Sequence, residues 1–220
     1  DAQNAGPGTY YIEAEYTASP GCSTIEEVVV ASILPTEVTV TSHEVCEGDA
    51  VTVTATPLTP GTYDYIWTIG NTNPGVIPNP GNVATFTFTP DAAGIYTYSV
   101  QVIDRGAPFC ESIPTNGVVT VNALPMASIT APAITEVCLN EEINLEFTGS
   151  LGSGPYEFEI SGPSGNQTLT GDPSATLLAA TGTVGTFTYT LVSVRDINTN
   201  CSQAIGESID ITVFDLPDVT

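Results

Sequence analysis

The chain has 220 residues, of which 25 are acidic, two are arginine and none is lysine, so its formal net charge at pH 7 is −23. Because phosphate binding requires clusters of Lys and Arg, this charge excludes nucleic acids and anionic membrane surfaces as partners. Apolar residues make up 41% of the sequence, but no run approaches the ~20 residues of a membrane span. We therefore expect folded domains without membrane insertion in this segment.

Leu-Pro pairs recur along the chain with a nearly fixed period. They begin at residues 34, 124 and 216, which places them 90 and 92 residues apart. A period of this size is typical of tandem domains. It predicts two whole repeats over 36–125 and 126–217, the C-terminal part of a preceding repeat over 1–35, and the start of a following repeat over 218–220. The chain is thus predicted to be a window on a longer array.

Alternation of apolar and polar residues predicts strands throughout. It is clear in Glu37–Thr41, Val51–Ala55, Thr85–Thr89 and Tyr96–Val102. The second repeat matches with Ile143–Phe147, Tyr156–Ile160 and Gly185–Tyr189. With 17 Pro and 20 Gly, turns are frequent and no window has a helical period. We predict an all-β chain of tandem sandwich domains arranged end to end, each of about 90 residues.

Two features resemble immunoglobulin-like domains in particular. The run Asp91–Tyr96 resembles the D-x-x-G-x-Y turn that enters strand F, known as the tyrosine corner. Trp67 falls where such domains place a core aromatic side chain on strand C, and Phe158 is assigned to that place in the second repeat. The resemblance implies an immunoglobulin-like β-sandwich for each repeat.

The repeat motifs are also similar to a narrower family. The motifs are a Val-Cys opening, at Cys46 and Cys138, a Pro-Tyr strand, and a closing Asp followed by a Cys. This order resembles the Ig-like, PKD-like, SprB-type repeats of Bacteroidetes cell-surface adhesins and type IX-secreted proteins. The resemblance implies a very long extracellular protein, with roles in filaments, gliding motility and attachment.

The five cysteines repeat with the domains. They lie at Cys22, Cys46, Cys110, Cys138 and Cys201. No C-x2-C spacing suggests zinc, so disulfides in an oxidising compartment are the better interpretation. Two pairings stay open. One joins Cys46 to Cys110 and Cys138 to Cys201, within each repeat. The other joins Cys46 to Cys201 across the joint between repeats, because opposite ends of one sandwich lie farther apart than a disulfide spans.

Calcium is the one cofactor that the acidic residues suggest. The candidate ligands lie in the turns between strands A and B and between strands F and G: Glu47, Asp49, Glu141, Glu142, Asp104 and Asp196. End-to-end stacking would bring acids from both kinds of turn together, and calcium takes six to eight oxygen ligands. No D-x-D-x-D loop is present, so solvated turns are the competing interpretation.

Catalysis is not expected. His43 is the only histidine, it has no counterpart in the second repeat, and we interpret it as a surface residue. No acidic pair sits in an aromatic-rich, non-repeating segment that would form a glycosidase cleft. We therefore predict no enzyme activity.

The sequence thus predicts a structural and adhesive stalk of a long extracellular protein. Its expected partners are neighbouring repeats of the same chain and surface glycans or other cells. The alternative is a carbohydrate-binding or accessory module of a large secreted hydrolase. Coplanar exposed aromatic side chains would distinguish that alternative, and Tyr63, Tyr65 and Tyr156 are the candidates.

Overall fold

A computed structural model describes residues 8–15, 17–18, 21–30, 37–70, 81–106 and 110–218. This described part is all-β and contains no helix, which confirms the predicted fold class. A first sandwich is built from eight strands: β3 (Val38–Val40), β4 (His43–Cys46), β5 (Val51–Pro57), β6 (Tyr63–Ile69), β7 (Thr85–Phe88), β8 (Gly94–Asp104), β9 (Cys110–Glu111) and β10 (Thr115–Asn122).

The first sandwich has the strand order of an immunoglobulin-like domain. One sheet has the order β3-β5-β7, and the other has the order β4-β10-β8-β6, with β9 pairing to β8. In immunoglobulin nomenclature, β3, β5 and β7 are strands A, B and E, and β10, β8 and β6 are strands G, F and C. The first three strands form the sheet that faces the sheet of the other three. The first strand of the domain is split, since β3 pairs with β5 in one sheet and β4 runs parallel to β10 in the other.

Period-two alternation builds the core of this sandwich. Along β8, Tyr96, Tyr98, Val100 and Val102 are buried, while the residues between them lie closer to solvent. Trp67 on β6 packs edge-on against Phe86, with ring centroids 5.1 Å apart. Strand alternation therefore places one apolar face of each sheet against the other.

Two hydrogen bonds identify the immunoglobulin-type features that the sequence predicted. The hydroxyl of Tyr96 donates to the carbonyl of Ala92 at 2.9 Å, which closes the tyrosine corner. The buried Trp67 indole donates its Nε1–H to the carbonyl of Val83 at 2.8 Å. Both aromatic side chains thus bury their rings and satisfy their polar atoms.

A second sandwich follows with the same plan. Its strands are β11 (Met126–Thr130), β12 (Glu136–Cys138), β13 (Asn144–Ser150), β14 (Tyr156–Gly162), β15 (Gly165–Gly171), β16 (Ser174–Leu178), β17 (Gly185–Asp196) and β18 (Ser202–Phe214). The sheets have the orders β11-β13-β16 and β12-β18-β17-β14-β15. Its core is separate from that of the first sandwich and centres on Leu145, Phe147, Phe158 and Leu191.

The register corrects one assignment made from the sequence. Trp67 pairs with Val100, the sixth residue after the glycine that begins β8. The sixth residue after the glycine that begins β17 is Leu191, and it pairs with Ile160. Ile160 is therefore the counterpart of Trp67, and the assignment of Phe158 to that place was wrong. The register shift that β14 and β17 share beside Ile160 is invisible in the sequence pattern.

The Leu-Pro pairs have different environments. Leu124-Pro125 lies between β10 and β11, with Pro125 buried, and Leu216-Pro217 lies exposed after β18. Leu34-Pro35, the predicted boundary at 35/36 and residues 219–220 of the predicted following repeat fall outside the described residues.

A hairpin precedes the two sandwiches in the chain. Strands β1 (Gly8–Glu15) and β2 (Ser23–Val30) pair antiparallel in a two-stranded sheet. Gly8 begins β1 as Gly94 begins β8, so Tyr10 corresponds to Tyr96. Tyr10 is 39% exposed, whereas Tyr96 is 1% exposed. The hairpin therefore has the pattern of strands F and G, with its core-type face uncovered in the described structure.

We predict that Tyr96→Phe lowers the unfolding free energy of the first sandwich by about 1 kcal/mol, because the Ala92 carbonyl loses its donor. Fluorescence of Trp67, the single tryptophan of the chain, follows denaturant unfolding of this sandwich. The matched control is Tyr65→Phe on β6, because the Tyr65 side chain is half-buried and its hydroxyl makes no hydrogen bond among the described residues. Equal losses in the two variants would contradict the tyrosine-corner interpretation.

We predict that the β1–β2 hairpin exchanges its amide hydrogens far faster than β8 and β10 in a verified monomer of this chain. A two-stranded hairpin is only marginally stable in water by its own pairing, whereas β8 and β10 pack on the core of the first sandwich. Hydrogen-exchange mass spectrometry compares the two strand pairs in one sample. Comparable protection in both would show that the hairpin is stabilised by more than its own pairing.

Candidate functional site at the joint between the sandwiches

The A–B turn of the first sandwich, residues 46–49, is fixed by backbone hydrogen bonds. Glu47 donates its N–H to Asn122 at 2.9 Å, and Asp49 donates to the carbonyl of Cys46 at 3.0 Å. Gly48 donates to Pro90 at 2.9 Å and has a φ of 86°, a backbone conformation that glycine adopts without strain. Cys46 is therefore presented at a defined point at one end of the sandwich.

The F–G loop of the second sandwich, residues 196–201, is fixed in a comparable way. Asp196 donates its backbone N–H to the carbonyl of Cys201 at 2.8 Å, which closes the loop where β17 ends. Asn200 has a φ of 60°, a conformation in which Asn is enriched. Cys201 is fully buried immediately before β18. The loop is thus fixed at both ends, by β17 and by β18, and Cys201 has a defined position.

A disulfide joins the two elements. Cys46 and Cys201 are bridged, with their Cα atoms 5.6 Å apart and a sequence separation of 155. Of the two pairings that the sequence left open, the structure has the one between sandwiches. A native disulfide of this kind typically stabilises by ~2–4 kcal/mol, and here it also ties one domain to the next.

The geometry of the first sandwich explains why the other pairing does not form. Cys46 lies beside Asn122, close to where Gly94 begins β8, whereas Cys110 pairs with Asp104 at the far end of β8. Ten residues of strand separate the two ends, which corresponds to roughly 33 Å. Bridged cysteines require Cα atoms within about 7 Å. Cys46 and Cys110 are therefore at opposite ends of one sandwich.

Asp196 supports the F–G loop with its side chain as well. The carboxylate is fully buried and accepts backbone N–H groups of Ser153 at 2.6 Å, Gly154 at 3.3 Å, Asn198 at 2.9 Å and Thr199 at 3.3 Å. The Asp196 side chain thus connects the F–G loop with the loop between β13 and β14. The sequence offered no signal for this role beyond an acid at a strand end.

The pKa of Asp196 reflects two opposing effects. Burial raises it, but the hydrogen bonds from the backbone N–H groups of Ser153, Thr199 and Asn198 lower it more, so the pKa is below its ordinary value. The folded state therefore favours the charged form. The resulting stability is fully present above the unfolded pKa of about 3.9 and is lost as pH falls through the folded pKa.

The six predicted calcium ligands do not converge among the described residues. Two of them already hold their own turns: Glu141 accepts the N–H of Cys138 at 3.0 Å, and Asp104 accepts that of Gly106 at 2.7 Å. The carboxylate oxygens of Asp196 are likewise occupied by N–H donors. Glu47, Asp49 and Glu142 lie in the A–B turns. In the described part, no three His, Cys, Asp or Glu side chains form a group that would hold a metal ion. Calcium binding stays a prediction.

The remaining candidates from the sequence are His43 and three tyrosines, and all of them lie in strands of the two sandwiches. His43 is half-buried in β4, opposite Val119, and its Nε2 is buried without a partner among the described residues, so its interpretation as a surface residue was wrong. Tyr156 is buried and donates its hydroxyl to Leu151 at 2.9 Å. Tyr63 and Tyr65 are half-buried against the first core. These three tyrosines do not form an exposed aromatic platform.

Cys22 and Cys138 are exposed, and Cys110 is half-buried. Both arginines form ion pairs inside a sandwich, Arg105 with Asp64 and Arg195 with Glu157. No helix among the described residues is long and apolar enough to cross a membrane.

Comparisons with known proteins place the chain beside immunoglobulin-like and fibronectin-like structures. No protein-family model and no curated protein matches it. The eight N-terminal immunoglobulin domains of Down Syndrome Cell Adhesion Molecule align over 95% of this chain and 27% of that chain, with a TM-score of 0.49 and 12% identity. A three-domain titin structure aligns over 96% of this chain and 75% of that chain, with a TM-score of 0.45 and 11% identity.

The fibronectin(III)-like modules of Clostridium thermocellum CbhA align over 81% of this chain and 95% of that chain, with a TM-score of 0.39 and 18% identity. Similarity at this level does not assign a family. The immunoglobulin-like character of the chain therefore rests on its own sheet order, its tyrosine corner and its two cores.

We predict that Asp196→Asn lowers the unfolding free energy of the second sandwich by about 2 kcal/mol at pH 7, because it removes a buried charge that accepts several hydrogen bonds. The difference from the unsubstituted chain should shrink as pH falls from the unfolded pKa of about 3.9 through the lowered pKa of the folded Asp196 carboxyl, because that carboxylate is then protonated. Urea unfolding, followed by amide NMR signals of β17 and β18, measures both effects. Asp218→Asn, at an exposed position, is the control, and a pH-independent difference would contradict the assigned pKa direction.

Proposed function

We propose that the chain is a structural and adhesive module of a long extracellular repeat protein, a stalk whose extension under load is limited by the disulfide between its sandwiches. The observation that carries this proposal is the Cys46–Cys201 bridge. A bridge between domains changes how the chain responds when it is pulled from its ends.

The mechanical consequence follows from the position of the bridge. Force applied before β3 and after β18 passes from residue 46 to residue 201 through the sulfur atoms. The 155 residues of sequence separation between these positions carry no load while the bridge is intact. Only the first strand of one sandwich and the last strand of the other can be drawn out. Most of both sandwiches is therefore protected from mechanical extension.

The oxidising environment that a disulfide requires supports an extracellular location. The acidic surface supports the same location, because both arginines are already paired within their sandwiches and leave the excess negative charge unbalanced. Such a surface keeps long arrays soluble and prevents them from associating with one another. Cell-surface attachment, gliding motility, type IX secretion and membership of the SprB-type family are parts of the proposal that come from the sequence resemblance alone.

The alternative of a carbohydrate-binding module has less support. Its proposed platform would require exposed, coplanar aromatic side chains, whereas Tyr156 is buried and Tyr63 and Tyr65 pack against the core. Specific binding of this chain to a glycan array, lost when an exposed aromatic such as Tyr11 is replaced, would favour that alternative.

We predict that reduction lengthens the fully unfolded chain under force by about 540 Å, which is the extended length of a sequence separation of 155 at ~3.5 Å per residue. Single-molecule force spectroscopy measures the contour length with and without reductant. The Cys46→Ser, Cys201→Ser double variant should give the long value in both conditions.

Cys138→Ser is the matched control and should behave like the unsubstituted chain, since Cys138 takes no part in this bridge. Equal contour lengths before and after reduction would contradict the extension-limited stalk.

A further inference from the structure

Cys138 occupies the same place in the second sandwich as Cys46 does in the first. Cys46 ends β4 and lies opposite Asn122 in the parallel pairing with β10. Cys138 ends β12 and lies opposite Phe214 in the parallel pairing with β18. Each cysteine also precedes the leucine of the next Leu-Pro pair by 78 residues, at Leu124 and Leu216 respectively.

The turns that present the two cysteines have the same hydrogen bonds. In the second sandwich, Leu139 donates its N–H to Phe214 at 2.8 Å, and Glu141 donates to Cys138 at 3.0 Å. Asn140 has a φ of 65° and donates to Thr181 at 3.0 Å. These contacts repeat, one for one, those of Glu47, Asp49 and Gly48 in the first A–B turn. The match extends to the left-handed residue, so the second turn is built to present a cysteine as the first one does.

The two cysteines nevertheless differ in their state. Cys46 is bridged to the F–G loop of the following sandwich, whereas Cys138 is exposed and forms no disulfide within the described chain. In the second sandwich, Cys138 and Cys201 lie near opposite ends of β17, because Gly185 pairs with Val213 beside Cys138 and Asp196 contacts Cys201. The second sandwich is therefore bound by a disulfide at the end that carries Cys201. At its other end, it presents Cys138 in the same kind of turn, without a disulfide within the described chain.

We propose that Cys138 forms a disulfide with the cysteine at the Cys201 position of a further sandwich of the same kind, joined after Pro217. This inference rests on the tandem array of the proposed function. Within the chain, Cys201 follows Leu124 by 77 residues, so the partner cysteine is expected 77 residues after Leu216. The partner is thus defined by its fold, its F–G loop and its spacing.

The chemistry is a thiol–disulfide exchange. The Cys138 thiolate attacks a small-molecule disulfide such as oxidised glutathione, forms a mixed disulfide and releases one reduced thiol. The partner cysteine then displaces the second thiol, so that the protein gains one S–S bond while the oxidant takes up two electrons and two protons.

The consequence is an interleaved series of bridges. Residue 138 lies inside the loop that the Cys46–Cys201 bridge closes, so the next bridge would begin before the previous one ends. The second sandwich would then be held at both ends, by Cys201 to the preceding domain and by Cys138 to the following one. Such a chain has a disulfide at every joint rather than at one.

The test extends the chain by a copy of residues 126–218 placed directly after Pro217. Ser202→Thr in the copy marks its Cys201 peptide by mass, at an exposed strand position. After oxidation in a glutathione buffer, non-reducing peptide mapping should find Cys46 linked to the unmarked Cys201 and Cys138 linked to the marked one. Cys138→Ser in the original sandwich should leave the marked Cys201 as a thiol, which maleimide labels once the chain is denatured without reductant.

A second extended chain carries Cys138→Ser in the copy, which removes the thiol most able to form mispaired products. Hydrogen exchange across β17 and β18 of the copy, compared with the original, identifies a folded copy in the same sample. The proposal is overturned if Cys138 of the original sandwich is alkylated in both extended chains while slow hydrogen exchange shows that the copy is folded. The Cys46–Cys201 bridge and its limit on extension would be unaffected by that result, since they are measured on the 220-residue chain.

Discussion

The disulfide between Cys46 and Cys201 is the constraint on which the relation between the two sandwiches depends. It forms because each cysteine is held by backbone hydrogen bonds that leave it little freedom: Cys46 by the A–B turn, and Cys201 by the end of β17. A disulfide needs its two Cα atoms within a few ångströms of a fixed separation. The A–B turn of the first sandwich and the F–G loop of the second must therefore be folded before the disulfide can form.

Buried polar groups maintain those turns. The carboxylate of Asp196 takes N–H donors from two loops, and this keeps the end of the second sandwich at which Cys201 lies in one conformation. In the first sandwich, the parallel pairing of β4 with β10 carries the chain to the A–B turn. The two ends that meet at the joint are thus set by each domain's own fold.

A covalent joint changes what an array of sandwiches can do under load. Separate domains in series unfold one after another and release their full length, whereas the Cys46–Cys201 loop keeps most of both domains out of the load path. The separate cores centred on Phe147 and Trp67 stabilise each domain individually. Stability within a domain and strength between domains therefore come from different interactions, the first from apolar burial and the second from one bond.

The sequence by itself determined the all-β class, the strands with period-two alternation, the tyrosine corner at Tyr96 and the core position of Trp67. These are local or periodic features, because alternation and a short turn motif are set by residues close together in the chain. The sequence left two partners open for Cys46, namely Cys110 and Cys201, and did not distinguish between them. Only the tertiary structure paired Cys46 with Cys201, buried Asp196 as an acceptor of backbone N–H groups, and aligned Ile160 with Trp67. Each of these depends on which distant segments meet and on a register shift between strands, and spacing along the chain does not encode either.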